Sequence, residues 1–279
     1  MTTRKYSETE TVARQYYNSK EADEFYYNIW GGEDIHIGIY DDPNISISSA
    51  SRKTVELMSS HINFHSGDLK LIDLGAGYGG AARYLVNQFE CSVVCLNISE
   101  EQNNRNRKMN KDVGLSEKIE VVDGSFESIP FEDNSFAFVW SQDAILHSSD
   151  REKVFKEIHR ILKKGGELIF TDPMQKEGVS KESLQPVLDR IHLSSMGSFE
   201  YYEKIGKSIG FEKIKIVDLT ENLGKHYSSV LKEVESRYEE IIKISNKEYI
   251  DRMKIGLKNW IDAKEKNLLS WGILQFKKI

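Results

Sequence analysis

Lys70–Leu85, KLIDLGAGYGGAARYL, is the stretch on which the reading of this chain turns. Leu71, Ile72, Asp73 and Leu74 read as a strand that runs straight into a loop carrying Gly75, Gly77, Gly79 and Gly80, and a helical pattern follows with no spacer. A strand that ends in glycines and restarts as a helix lets backbone N–H groups approach a ligand, with the helix N-terminus behind them. The stretch therefore predicts a nucleotide-type site.

Downstream, strand and helix patterns alternate. CSVVCLNI (91–98) reads as the second strand, and Ser99-x-x-Gln102 opens the next helix as a capping box. KIEVVDGS, NSFAFVWSQD and GGELIFTDP read as strands three, four and five. Between the last two, Asp150 caps a helix with an apolar stripe of Val154, Ile158, Ile161 and Leu162, closed by a turn at Lys163-Lys164-Gly165-Gly166. This rhythm predicts an α/β fold, a Rossmann-like, doubly wound, mostly parallel sheet that binds its ligand at the carboxyl ends of the strands. Beyond Pro173, helices over about 180–193 and 198–208 precede a strand, FEKIKIVDL. A charged helical block then runs from Glu221 to about Lys266, and WGILQF closes the sheet as a hairpin partner of FEKIKIVDL. The organisation expected is an N-terminal helical cap (1–66), a core (67–220), a C-terminal helical lid insertion (221–266) and a last core strand (267–279), with the charge runs of the insertion read as solvated helix faces.

Upstream, Thr9 to Trp30 is aromatic, with Tyr16, Tyr17, Phe25, Tyr26, Tyr27 and Trp30, and Ser19 is placed to cap a second short helix. Most of these rings are expected to pack the cap onto the core. His36, alone in the loop segment GGEDIHIGIYDDP, reads as a structural hydrogen-bonding residue. Ser48 to His65 reads as a helix with Val55, Leu57, Met58 and Ile62 facing inward. His61 and His65 have metal-ligand spacing but no third ligand in register, so no metal is expected.

Bulk properties narrow the ligand. The chain has 279 residues, 29% of them charged, and a net charge of −6. No basic footprint for nucleic acid is visible, which points to a small molecule. There is no run of about 18 apolar residues to span a membrane, and MTTRKYSETE lacks an apolar signal core. Cys91 and Cys95 read as reduced residues of a buried strand. A soluble cytoplasmic protein, monomeric or homodimeric, is expected.

The glycines fit two patterns. Gly75-x-Gly77-x-x-Gly80 is the dinucleotide fingerprint, and Asp73-x-Gly75-x-Gly77-x-Gly79 is that of S-adenosylmethionine (SAM) enzymes. Asp73, two residues before the first glycine, is placed to face the ammonium of a methionine moiety, and Asp123-Gly124-Ser125 ends strand three where a carboxylate can accept the adenine amino hydrogen. DLGAGYGG, LNISEEQ, VVDGSFESIPFEDNSFAFVWSQDAILH and ILKKGGELIFTD together resemble class I SAM-dependent methyltransferases of small molecules. YYNSKEADEFYYNIWGGEDIHIGIY and SQDAILHS narrow the resemblance to the sarcosine/dimethylglycine N-methyltransferases that make glycine betaine, with similarity to phosphoethanolamine and tocopherol-type enzymes. The resemblance implies SAM as cofactor, held by Asp73, Gly75, Gly77, Gly79, Asn97, Ile98, Gln102, Asp123, Gly124, Ser125, Phe126 and Ser141. Such enzymes usually end strand two with Asp or Glu to hold the ribose. Asn97 stands there instead, and its amide can accept from one hydroxyl and donate to the other. The absent carboxylate also counts against a dehydrogenase.

Methyl transfer to nitrogen needs a neutral amine, so the site must take up a proton. Asp143 and His147 are four apart, which puts them on one face if the segment is helical. His147 is expected to receive the amine proton, and Asp143 to orient it or neutralise the ammonium. By resemblance to the phosphoethanolamine enzymes, Tyr17, or failing that Tyr16, pairs with this histidine. Tyr26 and Trp30 suit a methylammonium group by cation–π attraction. The substrate carboxylate is expected at Arg190, with His192 and Arg52 as alternatives. Thr171-Asp172-Pro173 lacks the phosphate-gripping tyrosine that phosphoethanolamine enzymes carry at this point, which favours an amino-acid substrate; a phosphoethanolamine-type or other small-molecule methyltransferase is the alternative.

Overall fold

A computed structural model describes residues 6–62, 69–190 and 193–279. Its seven strands among these residues form one sheet in the order β3-β2-β1-β4-β5-β7-β6. The strands are β1 (Lys70–Leu74), β2 (Ser92–Asn97), β3 (Ile119–Asp123), β4 (Phe136–Gln142), β5 (Leu162–Gln175), β6 (Phe211–Asp218) and β7 (Leu269–Lys278). The first five pair in parallel, and β7 runs antiparallel to both β5 and β6.

The central strands are apolar along their length because helices cover both faces. Side chains alternate between them with a period of two. Ile72, Leu74, Val94, Leu96, Val139 and Phe170 pack into one core. Leu71, Val93, Cys95, Phe138, Trp140 and Ile169 pack into the other. Helix α4 (Gly80–Phe89) follows β1 and α5 (Glu100–Asp112) follows β2, and Ser99 caps α5 by accepting Gln102 N–H at 3.2 Å. Helix α6 (Arg151–Ile161) is capped by Asp150, which accepts Lys153 N–H at 3.0 Å. Strand order reverses at β1, between β2 and β4, so the crevice at that switch point is where a ligand fits.

Helix α1 (Glu8–Tyr17), α2 (Lys20–Phe25) and a π-helical turn (Tyr26–Gly31) lead to α3 (Ile47–Ser60). Between β5 and β6 lie α7 (Lys181–Arg190) and α8 (Phe199–Ile209); between β6 and β7 lie α9 (Thr220–Ser236), α10 (Tyr238–Ile244) and α11 (Lys247–Glu265). The N-terminal helices, α7 and the helices between β6 and β7 build a third core, which Leu269 and Trp271 of β7 join, while α3 and α8 pack into the two cores on the sheet. Phe25, Tyr26 and Trp30 from the N-terminal end pack in one apolar cluster with Tyr227, Val230, Leu257 and Trp260 from the insertion. The two ends of the chain thus close over the sheet as one packed layer.

Three expectations need correction. The helix read from Ser48 to His65 is capped by Ser46 and ends at Ser60, and His65 lies outside the described residues. Lys163–Gly166 is not a turn ahead of the fifth strand. It lies inside β5 as a bulge, with the pairing stepping from Phe136↔Leu162 to Phe138↔Glu167. Asp143 and His147 do not share a helical face: Asp143 has φ +50° and only Ile145–His147 form a single 3₁₀ turn.

Candidate active site

Two adjoining cavities, of about 930 and 780 Å³, open at the switch point. The larger is lined by the strand ends: Asp73, Gly75 and Gly77 after β1, Asn97, Ile98 and Gln102 after β2, Ser125 and Phe126 after β3, and Gln142 on β4. Gly75 has φ +76°, and a Cβ there would stand 2.3 Å from Ala144 Cβ, so no other residue lets the loop turn so close to the end of β4. Gly80 is needed for space. Its Cβ would stand 2.1 Å from Asp34 Oδ1, the point where the N-terminal segment docks on the loop.

The smaller cavity is walled by aromatic and basic side chains, among them Tyr16, Trp30, Tyr227, Trp260 and Arg190. Tyr17, Tyr26, His36, Asp143 and His147 line both cavities and form the wall between them. The Tyr17 hydroxyl lies 2.9 Å from His147 Nε2. Tyr16 instead meets the hydroxyls of Tyr26 and Tyr249, each at 3.2 Å. Burial holds the Tyr17 phenol well above its ordinary pKa, and Tyr26 adds to the effect. His147 is pushed down to about 4, first by burial and then by the positive charges of Arg151 and Arg190. The wall thus presents a neutral phenol and a neutral imidazole.

Asp143 does not bond to His147. Its Oδ2 accepts Ile37 N–H at 2.7 Å and its Oδ1 accepts Trp271 Nε1–H at 2.8 Å. An aspartate in the left-handed region, held by two donors from opposite ends of the chain, is a locally strained group fixed by its surroundings. His147 is positioned from elsewhere. Asp172 accepts Leu146 N–H at 3.0 Å and the Tyr202 hydroxyl, and Arg151 donates to Leu146 O at 3.0 Å. The residue before His147 is therefore pinned at both its N–H and its C=O.

Electrostatics differ between the cavities. Asp73 is pushed up to about 7, by burial first, with His36 opposing and Asp34 adding. Burial pulls the His36 pKa down, but Asp34 and Asp143 outweigh it and the net shift is upward. His36 Nε2 stands 3.8 Å from Asp34 Oδ1, an ion-pair distance too long for a hydrogen bond. Asp34 Oδ1, His36 Nε2 and Gln142 Nε2 are buried without a hydrogen-bond partner among the described residues, and all three side chains line the larger cavity. Unpaired buried polar atoms around a cavity, an acceptor on Asp34 and a donor on Gln142 among them, fit a polar guest.

Several expected residues stand elsewhere. Gly79, Asp123, Gly124 and Ser141 do not line the cavity among the described residues. Asp123 points outward and is engaged by Asn103 Nδ2 at 2.8 Å and Arg107 Nη2 at 2.7 Å, because Asn103 and Arg107 of α5 reach its carboxylate first. Gly79 is a packing glycine: its Cβ would meet Asn106 Oδ1 at 2.3 Å. Gly124 donates its N–H to Asn97 O at 3.0 Å. Ser141 spends its hydroxyl on Leu74 O at 2.8 Å, tying β4 to β1. Asn97 donates to Gln102 Oε1 at 2.9 Å, so these two amides act as one unit. Arg52 is paired with Glu33 and Asp34, each at 2.7 Å, and does not line the aromatic cavity. His192 lies outside the described residues. No group of three metal-ligating side chains occurs among the described residues.

Glu33 and Asp34, which the sequence did not single out, line the larger cavity, and His36, read as a structural residue, lines both. Their only local signal is a charged, glycine-led segment directly after the aromatic helices. Trp260 and Tyr227 were hidden within a block read as charged.

A family model described as a methyltransferase domain matches residues 72–170. The chain is 49% identical over 278 residues to a curated sarcosine/dimethylglycine N-methyltransferase of Halorhodospira halochloris, covering 100% of both chains. It superposes with a TM-score of 0.89 at 44% identity on the crystal structure of a candidate sarcosine dimethylglycine methyltransferase from Galdieria sulphuraria, covering 94% of this chain and 98% of that one. Phosphoethanolamine N-methyltransferase 2 of Haemonchus contortus, solved with phosphomonomethylethanolamine and S-adenosylhomocysteine, gives 0.83 at 19% identity over 98% of this chain and 60% of that one, a likeness of fold.

Proposed function

The chain belongs to the sarcosine/dimethylglycine N-methyltransferases of the SAM-dependent class, and from that premise we propose how its two cavities divide the work. The enzyme moves the methyl group of SAM to the nitrogen of sarcosine and of dimethylglycine, and the second transfer yields glycine betaine. The observation that carries the assignment of roles is the shared wall of Tyr17, Tyr26, His36, Asp143 and His147, where a guest of each cavity meets the other.

SAM supplies an electrophilic methyl group on a sulfonium leaving group. The larger cavity suits it: Asp73 and Asp34 face the ammonium of its methionine end, the Asn97–Gln102 pair takes the ribose, and Ile98, Ser125 and Phe126 border the adenine. In the smaller cavity the Arg190 guanidinium takes the substrate carboxylate, while Tyr26 and Trp30 border the methylated nitrogen. Trp30 contributes its ring face, because its N–H is already given to His36 O at 3.2 Å.

His147 accepts the amine proton through its contact with Tyr17. An imidazole near pKa 4 is a poor base, so the empty site resists protonation. Substrate binding changes this. A carboxylate on Arg190 offsets the smallest of the three causes that depress His147, after burial and Arg151, so basicity rises in part when the amine arrives. Asp143, its carboxyl held by two N–H donors, faces the ammonium product. Alignment of amine and methyl supplies most of the acceleration, since sulfonium already leaves readily.

The buried free thiols Cys91 and Cys95 support a reducing, cytoplasmic setting, and the net charge of −6 supports a small-molecule rather than nucleic-acid partner. No helix among the described residues is long and apolar enough to cross a membrane. The test is transfer from methyl-labelled SAM to glycine, sarcosine, dimethylglycine and phosphoethanolamine. Label in sarcosine and dimethylglycine is expected; label in phosphoethanolamine with none in either methylated glycine overturns the reading.

A further inference from the structure

Helix α11 carries a glycine in its middle, and glycine is the poorest helix former apart from proline. Gly256 has a spatial reason to be there. A Cβ on it would stand 2.1 Å from Arg190 Cδ and 2.2 Å from Arg190 Nε. Those atoms lie in the middle of the arginine side chain, so the clash cannot be relieved by swinging a flexible tip. The arginine lies in a notch cut into α11, and only the absence of a side chain at 256 lets it pass.

One helical turn further on, at the spacing that places two residues on one face, stands Trp260. It is 1% exposed and lines the same aromatic cavity as Arg190. Its ring stacks on Tyr227, with centroids 4.9 Å apart and an interplanar angle of 19°. Its Nε1–H has no hydrogen-bond partner among the described residues, and neither has Arg190 Nε. The rest of the guanidinium makes a weak contact, Nη2 to Met253 Sδ at 3.8 Å. An indole nitrogen donates only, as does a guanidinium, so two residues that line one cavity each hold a buried donor with no acceptor.

We propose that α11 reads the carboxylate of the substrate: Trp260 donates its indole N–H to it beside Arg190, and Gly256 is the positioning residue that seats the arginine. The inference rests on the reading that Arg190 takes the carboxylate, and it adds a second binding residue and the reason for the glycine. A carboxylate has room for both donors, whereas the ammonium end can use neither. The cavity therefore sorts the two ends of a zwitterion, acceptors toward the wall with the larger cavity and donors toward α11.

The experiment compares dimethylglycine with N,N-dimethylethanolamine, which keeps the amine and replaces the carboxylate by a hydroxymethyl group. Affinities are read by ligand-observed NMR on protein saturated with S-adenosylhomocysteine. Trp260→Phe keeps a ring against Tyr227 and removes the N–H; Gly256→Ala closes the notch in a helix that alanine favours. Each is expected to weaken dimethylglycine about tenfold, as for one bond to a charged group, and to change dimethylethanolamine and S-adenosylhomocysteine by less than twofold. Equal weakening of both amines, or no weakening in either variant, overturns the proposal. Arg190→Met separates it from its premise. If that variant keeps full dimethylglycine affinity, the assignment of Arg190 itself fails; if it loses affinity while the two α11 variants do not, the present inference alone falls. Should Trp260→Phe not fold, Gly256→Ala decides on the same criteria.

Discussion

Replacing Asp73 with asparagine should make the ligand-free protein more stable and the cofactor cavity useless. Asp73 is 4% exposed, and burial pushes its carboxyl from 3.8 up to about 7. The folded-state value thus lies about three units above the unfolded one. At about 1.4 kcal/mol per unit, the buried anion destabilises the fold by about 4 kcal/mol above neutral pH. The sign follows from proton uptake: between pH 3.8 and about 7 the folded chain binds the proton that the unfolded chain has released. Stability is therefore lost as pH rises through that window, and the whole penalty stands above about 7. Asparagine removes the charge but strands amide hydrogens, at a cost of about 1–3 kcal/mol. The net gain at pH 8 is about 2 kcal/mol, a rise in Tm of roughly 4–8 °C. Asp172, also near 7, and Asp143, also raised, titrate in both proteins and cancel from the difference.

Thermal unfolding of the wild-type and D73N proteins from pH 4 to 8.5 should show curves that separate with rising pH and stay parallel above about 7. Calorimetry with SAM should show at least a tenfold loss of affinity, since a charged partner of an ammonium is worth about 1.5–3 kcal/mol. A variant less stable than wild type at pH 8, a difference independent of pH, or SAM affinity within twofold of wild type would refute the placement of Asp73 as the anion awaiting the methionine ammonium.

Two shorter predictions concern the wall between the cavities. Tyr17→Phe, which removes the hydroxyl 2.9 Å from His147 Nε2, should lower kcat by about 10² while leaving SAM affinity within twofold; a matching loss of SAM affinity in calorimetry would move Tyr17 to the cofactor cavity. Asp172→Ala, which strands Leu146 N–H and the Tyr202 hydroxyl, should lower kcat with little change in the SAM dissociation constant; an unchanged kcat would mean that the backbone ahead of His147 needs no such support.

The sheet was legible because its evidence is local. Each strand is a short apolar run, each helix start carries its own cap, and the alternation of the two allows few topologies. The ends of β1 and β2 were legible for the same reason, since Asp73, Gly75, Asn97 and Gln102 follow directly from where those strands stop. Asp123 shows the limit. It ends β3 as expected, but the path of α5 brings Asn103 and Arg107 to its carboxylate, and nothing in the strand pattern predicts that. The Asp143–His147 spacing misled for a related reason. A spacing of four implies a shared face only on a helix, and here the chain passes through a left-handed aspartate into one 3₁₀ turn.

What sequence could not show is a meeting of distant segments. Asp143 is fixed by Ile37 and Trp271, 106 residues before it and 128 after it. In the insertion, Tyr249, Met253, Gly256 and Trp260 recur at helical spacing within a charged block, a stripe that reads as plain packing until Arg190 arrives from α7 to lie across it. The physical consequence is a separation of tasks by layer. The sheet ends shape the cavity suited to the cofactor, and a change there acts on affinity for it. The layer built from both ends of the chain shapes the aromatic cavity, so the choice of amine acceptor can drift through substitutions on α11 while the glycine loop stays as it is.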